Sequence, residues 1–207
     1  MVKWQFRSKT VGDVTKDVPI DDFFTKSSET SSFIRESIQN SLDGRVNQES
    51  PITVKISIHT NKSKLASKKA LEWFVPEGID HFKSSGSDLI NLPKFEEDCP
   101  YLVYEDFNTS GLNGDIWQDS SIEGKPNHFY GFYRQEGKTE KATGNGSNGV
   151  GKIVFPMASR VRTIFGFTTR SDDKKTYLMG RSSLSYHKVN NQIFLSLIHI
   201  SEPTRPY

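Results

Sequence analysis

The sequence has little cysteine, no long apolar run and almost no excess of either charge. Its 207 residues include one cysteine, Cys99, which excludes an intramolecular disulfide and favours a reducing compartment. No apolar run approaches the roughly 20 residues that span a bilayer, and residues 1–6 lack the apolar core of a signal peptide. The 27 basic and 25 acidic residues give a net charge of +2, which indicates neither nucleic acid nor a membrane as partner. We therefore expect a cytoplasmic protein.

Apolar residues are also scarce, at 34%, but 14 Phe, 7 Tyr and 3 Trp can supply a core. The length suits one substantial α/β domain, which we expect to span residues 1–195. The stretch 196–207 is similar to a translated sequencing adapter, so we expect it to be non-native and the natural protein to continue beyond about Phe194. A native C-terminal tail is the alternative.

Periodicity predicts alternating strands and helices. Strands are predicted over 3–9, 52–59, 101–107, 161–169 and 175–180, and helices over 33–43, 65–74, 78–83, 128–136 and 150–159. The segment 62–98 lies between two predicted strands and is interpreted as an insertion.

The predicted helix 33–43 carries the first candidate site. Its apolar residues recur at helical spacing, at Phe33, Ile34, Ile38 and Leu42. Glu36, Asn40 and Asp43, here called the helix box, are four and three residues apart and share one helix edge. Asn and Asp compete with the helix backbone, which makes them unusual choices for a merely solvated edge. A plain solvated face nevertheless remains the alternative.

A turn follows the strand 101–107 and forms the second candidate site. Asp106 lies at the end of the strand, and Asn108 and Gly111 follow in the turn. Asn tolerates left-handed backbone angles better than other residues with a side chain, so a tight turn is possible there. An ordinary Asx turn after a strand is the alternative interpretation.

The third candidate site is the glycine loop, residues 136–151. Gly146, Gly149 and Gly151 precede Lys152, and successive unhindered N–H groups at the start of a helix can bind an anion. A flexible linker, a P-loop and a Rossmann turn are the alternatives. The last two need a preceding hydrophobic strand that is missing, and Ile153 replaces the Ser or Thr of a P-loop.

Taken in this order, the three motifs resemble the ATP-binding domain of the GHKL ATPases, which include gyrase B, MutL, the heat-shock chaperone ATPases of the HSP90 type and histidine kinases. The resemblance implies that Asn40 holds Mg²⁺ on the phosphates of ATP and that Glu36 activates water as general base. It implies that Asp106 accepts a hydrogen bond from the adenine amino group, with Asp43 either supporting the adenine side or capping the helix. The residues that it implies near the nucleotide in the turn and the glycine loop are Asn108, Gly111, Gly146, Asn148, Gly149, Val150, Gly151 and Lys152.

The fold implied by the resemblance is α/β (α+β). It is the Bergerat ATP-binding fold, a two-layer sandwich of a mixed β-sheet with helices on one face, incomplete here at the C terminus. Closure of the glycine loop over ATP as a lid would drive a conformational change in a larger protein, with a homodimer formed through regions beyond this chain. The sequence departs from the family where Asn108 replaces a glycine and where no Gly-Thr pattern surrounds the candidate threonines 168, 169 and 176. A module that senses ATP without hydrolysing it is the alternative function.

Overall fold

A computed structural model describes residues 4–13, 29–122, 124–125, 127–135, 151–195 and 198–201, the last four by their backbone alone. The helices are α1 (Glu29–Asp43), α2 (Ser67–Lys83), α3 (His128–Tyr133) and α4 (Val154–Met157). The strands are β1 (Trp4–Gln5), β2 (Thr53–His59), β3 (Tyr101–Phe107), β4 (Thr163–Thr169), β5 (Thr176–Ser183), β6 (His187–Val189), β7 (Gln192–Phe194) and β8 (Ile198–Ser201). Short 3₁₀ turns lie at Asn61–Ser63 and Gly151–Ile153. Among these helices, none is long and apolar enough to cross a membrane.

The described part of the chain has an α+β fold built on antiparallel pairing. One sheet has the strand order β1-β8-β5-β4, while β2 pairs with β3 and β6 pairs with β7 in separate two-stranded sheets. Every described strand pair is antiparallel, whereas the resemblance to the GHKL family implies a single mixed sheet. A parallel pair needs a long crossover connection, and β4–β5 and β6–β7 are joined by short turns that impose antiparallel pairing.

Strand β8 lies within the stretch 196–207 that the sequence marks as non-native. Its residues pair with β5 on one side and with β1 on the other. Backbone hydrogen bonds can pair any extended segment with neighbouring strands, so the position of β8 between β1 and β5 does not distinguish the two origins of the tail. The origin of the tail stays a prediction.

The predicted strand 101–107 has the same bounds as β3. The two helical patches predicted within the insertion form one continuous helix, α2. The helix predicted over 150–159 is instead a 3₁₀ turn followed by the short α4. Pro156 accounts for part of that difference, because proline cannot donate the backbone hydrogen bond that a continuing helix requires.

The buried face of α1 differs from the predicted apolar stripe. Ile34 is 38% exposed, and the residues of α1 that are buried are Ser32, Phe33, Ser37 and Ser41. Phe33 contacts Tyr104 and Phe155 edge to face, with ring centroids 6.1 and 5.9 Å apart. Small serine side chains therefore occupy most of the helix face that meets its neighbours. Periodicity predicted the helix correctly and its buried face wrongly, because the pattern reflects how apolar each side chain is and not how large it is.

A buried histidine pair connects α2 to the β6–β7 hairpin. His81 Nδ1 lies 2.7 Å from His187 Nε2, and His187 Nδ1 lies 2.7 Å from the carbonyl oxygen of Ser185. A carbonyl only accepts, so neutral His187 carries its proton on Nδ1, accepts at Nε2, and receives the Nδ1–H of His81. Burial lowers the pKa of both rings, that of His81 to about 4.

The stability of the protein is expected to fall as the pH is lowered from 6.5 towards about 4. Both histidine pKa values are depressed in the folded state, so the unfolded chain binds protons over this interval that the folded chain excludes. The midpoint of urea unfolding, measured across the interval, should decrease. The ion-paired carboxylate of Asp173 has a pKa of about 2, so its contribution is lost at lower pH.

A paired substitution, His81→Leu with His187→Leu, should flatten this pH dependence, because it removes both buried titrating rings. His59→Gln, a histidine change on β2, should leave the dependence in place. A wild-type midpoint that stays constant across the interval would contradict the assignment.

Candidate functional site

The helix box lies on an accessible edge of α1. The Glu36 side chain is 18% exposed and its Oε1 lies 3.2 Å from Arg35 Nε, while Asn40 is exposed. Asp43, near the end of the helix, accepts a hydrogen bond of 2.8 Å from Gln39 Nε2. All three side chains are therefore accessible to a ligand, and the charge of Glu36 is partly balanced by its neighbour.

The last glycine of the glycine loop lies directly against the helix box. A Cβ atom placed on Gly151 would be 3.0 Å from Glu36 Oε2 and 3.5 Å from Asn40 Oδ1. Asn40 Nδ2 also lies 3.5 Å from the Gly151 carbonyl oxygen, across 111 positions of sequence. The structure thus brings together two of the three sequence motifs. The tight contact leaves little room for any side chain at position 151.

Lys152 is directed towards another element. Its Nζ donates a hydrogen bond of 2.5 Å to the carbonyl oxygen of Gly131 in α3. In the described arrangement its ammonium group is therefore held at α3. The other predicted residues of the glycine loop, Gly146, Asn148, Gly149 and Val150, lie outside the described residues.

Asp106 meets the adjacent, serine-bearing face of α1. Ser41 Oγ donates a hydrogen bond of 2.7 Å to Asp106 Oδ2 and lies 2.8 Å from Tyr104 Oη. Tyr104 Oη donates to the Ser37 carbonyl oxygen at 2.9 Å. Burial raises the pKa of the Tyr104 phenol, and its hydrogen bonds with the two serines offset part of that rise. The carboxylate is exposed, and its Oδ1 has only a long contact of 3.4 Å with Thr109 Oγ1.

This network was not predicted, although its residues have a recognisable spacing. Ser37 and Ser41 are four residues apart on a helix, and Tyr104 and Asp106 are two residues apart on a strand, so each pair shares a face. The sequence therefore contains the two matching faces, a helix with two serines and a strand with a Tyr and an Asp. They can be recognised as partners only once the two elements are known to be neighbours.

The turn after β3 continues into residues 108–115, here called the Asp106 loop. Asn108 has a φ of 65° and donates from Nδ2 to the Pro51 carbonyl oxygen at 2.9 Å. Gly111 has a φ of 70°, and a Cβ there would be 2.9 Å from Thr168 Oγ1 and far inside van der Waals contact with the Thr169 carbonyl oxygen. Both positions of the predicted turn thus adopt left-handed backbone angles, which Asn and Gly tolerate.

The Asp106 loop is fastened to both neighbouring elements. At its start, Ser110 N donates to the Gly44 carbonyl oxygen at 2.8 Å, next to the end of α1. Further along, Leu112 N donates to Thr168 Oγ1 at 2.9 Å, and Gly114 N donates to Asp172 Oδ2 at 3.0 Å. These bonds fix the loop between α1 and the β4–β5 hairpin. Of the three candidate threonines, Thr168 is the one whose side chain forms one of these hydrogen bonds with the Asp106 loop.

Within the described residues, no three His, Cys, Asp or Glu side chains converge on a point that could hold a metal ion. A magnesium ion bound through Asn40 would depend on phosphate oxygens and water for its other ligands, which is a usual arrangement for this ion. Asn40 is exposed and makes only a long contact, so its amide oxygen is available for such a role. Comparison of the chain with protein-family models, with curated proteins and with solved structures found no match.

Proposed function

We propose that this chain is an ATP-binding domain of the GHKL type, with a Bergerat-type sandwich in which α1 forms one wall of the nucleotide site. The observation that carries the proposal is the contact of Gly151 with Glu36 and Asn40. It joins the end of a glycine-rich loop to a carboxylate and an amide, and ATP hydrolysis with Mg²⁺ requires groups of these kinds close together. The order of the three motifs along the chain supports the same conclusion.

In this proposal the two faces of α1 have different tasks. Asn40 supplies an amide oxygen to a magnesium ion on the phosphates, and Glu36 orients the attacking water as general base. On the other face, Ser41 occupies Asp106 Oδ2 and leaves Oδ1 to accept the exocyclic amino group of adenine. Guanine carries a carbonyl oxygen at the corresponding position, which a carboxylate repels, so the site favours ATP over GTP.

Closure of the glycine loop over the bound nucleotide would transmit ATP binding to the rest of a larger, dimeric protein. Glu36 favours hydrolysis over simple sensing, because a module that only senses ATP needs no general base. A P-loop centred on Lys152 is less well supported, since the Nζ of this residue is held by Gly131 and Ile153 cannot bind Mg²⁺ through a hydroxyl.

Asn40→Ala is expected to remove the Mg²⁺-dependent part of ATP binding, because the variant loses the only proposed protein ligand of the ion. Calorimetric titration of ATP with Mg²⁺ and with a chelator should give clearly different affinities for the wild type and equal ones for the variant. Lys152→Ala should have a milder effect. Gln192→Ala, which removes an exposed amide on β7 outside the proposed site, is the matched control and should behave as the wild type does.

The reverse order of effects would overturn the proposal. If Lys152→Ala abolished binding and Asn40→Ala did nothing, a P-loop site would take its place. If the wild type, shown to be folded by a cooperative melt, bound no ATP, the GHKL assignment would be wrong.

A further inference from the structure

A cavity of about 160 Å³ lies between α2 and the segment 93–100. It shares no residue with the helix box, the Asp106 loop or the described end of the glycine loop. The apolar side chains that line it include Ala70, Leu71, Phe74, Phe95 and Val161. An apolar cavity of roughly 150 Å³ can hold benzene, so this one has room for a single six-membered ring.

The rim of the cavity has an excess of positive charge. Three cations line it, Lys64, Lys94 and Arg160, against two carboxylates, Glu97 and Asp98. Four of these five groups are engaged with neighbours. Lys94 pairs with Glu97 at 3.1 Å, Asp98 Oδ1 accepts from Ser67 N at 3.1 Å, and Arg160 Nε donates to the Asn91 carbonyl oxygen at 3.0 Å.

Lys64 is the exception. It is exposed and forms no ion pair with any side chain that the structure describes. A ligand with an apolar ring and one anionic group would therefore match both the walls and the rim, since the ring removes apolar surface from water and the anion meets an ammonium group that has no ion-pair partner among the described residues.

We infer that this cavity binds a small carboxylic acid with one aromatic ring, its ring against the apolar walls and its carboxylate facing Lys64. The site is independent of the proposed ATP site and does not need it. It gives the insertion 62–98 a ligand-binding role of its own.

The single cysteine of the chain provides a direct readout, because Cys99 lines the same cavity. Burial raises the pKa of its thiol, so its alkylation by a neutral maleimide is already slow and should become slower when a ligand fills the cavity. Benzoate is the probe, and benzamide, which has the same ring without the charge, is the comparison. Benzoate should slow the alkylation of Cys99 in a saturable way and at lower concentration than benzamide.

Lys64→Gln should weaken benzoate binding by about two- to fivefold, the range of an exposed ion pair, and leave benzamide binding unchanged. Lys62→Gln, a nearby lysine that does not line the cavity, is the matched control and should change neither. Ala70→Leu, which fills the cavity, should remove protection by both compounds. Absence of saturable protection by benzoate, or equal effects of benzoate and benzamide, would overturn the proposal. If Ala70→Leu does not fold, the comparison of Lys64→Gln with the wild type still tests the proposal.

Discussion

Gly111→Ala is expected to destabilise the protein by about 3 kcal/mol, the sum of roughly 1 kcal/mol for a left-handed alanine and roughly 2 kcal/mol for overpacking. The backbone φ is 70°, and a Cβ there would collide with the Thr169 carbonyl oxygen and meet Thr168 Oγ1 at 2.9 Å. The carbonyl belongs to β4 and cannot rotate away as a flexible side chain could. The midpoint of urea unfolding, with its slope, measures the loss of stability.

Gly124→Ala is the matched control for this effect. Gly124 has a φ of 71°, and a Cβ there would have no neighbour within 4 Å among the residues that the structure describes. This variant should therefore show only the backbone cost, about 1 kcal/mol. The difference between the two variants isolates the collision with β4. Equal losses would mean that the Asp106 loop can move away from β4 at little cost.

The same substitution also tests whether the Asp106 loop positions a ligand. In conditions where Gly111→Ala remains folded, its affinity for ATP should be lower than that of the wild type, because Leu112 N and Thr168 Oγ1 can no longer hold the loop in place. Gly124→Ala should bind ATP normally. Unchanged affinity in a folded Gly111→Ala variant would separate the loop from nucleotide binding.

Local features of the sequence predicted local features of the fold. The strand β3 has its predicted bounds, and α1 forms where apolar residues recur at helical spacing. Both rest on side-chain periodicity, which the backbone geometry of a single element determines. Periodicity says less about which face is buried. On α1 the neighbours require small side chains, and serines fill that face while Ile34 remains 38% exposed.

The pairing of distant elements could not be predicted in the same way. The contact between Asn40 and Gly151 spans 111 positions, and the hydrogen bond between Ser41 and Asp106 spans 65. No local pattern encodes such contacts, and only the resemblance to a known family suggested that the first of them exists. The Tyr104 hydroxyl belongs to none of the three motifs, and its hydrogen bond to α1 follows only from the packing of β3 against that helix.

Gly166→Ala is expected to destabilise the protein by about 3 kcal/mol, at the upper end of the range for overpacking a close-packed interior. A Cβ on Gly166 would lie far inside van der Waals contact with the Tyr133 hydroxyl oxygen, and 3.1 Å from the ring carbon that carries it. Tyr133 is fully buried in a cluster with Phe129, Tyr177 and Met179, so its ring has no free volume into which to move. Urea unfolding again gives the magnitude.

Tyr133→Phe should rescue this variant. Among the described residues the Tyr133 hydroxyl has no hydrogen-bond partner, and burying such a group costs about 1–3 kcal/mol, so Tyr133→Phe alone should be neutral or stabilising. With the hydroxyl removed, most of the collision disappears, and the double variant should regain about 2 kcal/mol relative to Gly166→Ala beyond the effect of Tyr133→Phe alone, which is the coupling energy. Additive losses would show that the two positions are not in contact. Rescue by phenylalanine would establish that a glycine in β4 is required by one oxygen atom of α3, a pairing of distant residues that the sequence alone does not reveal.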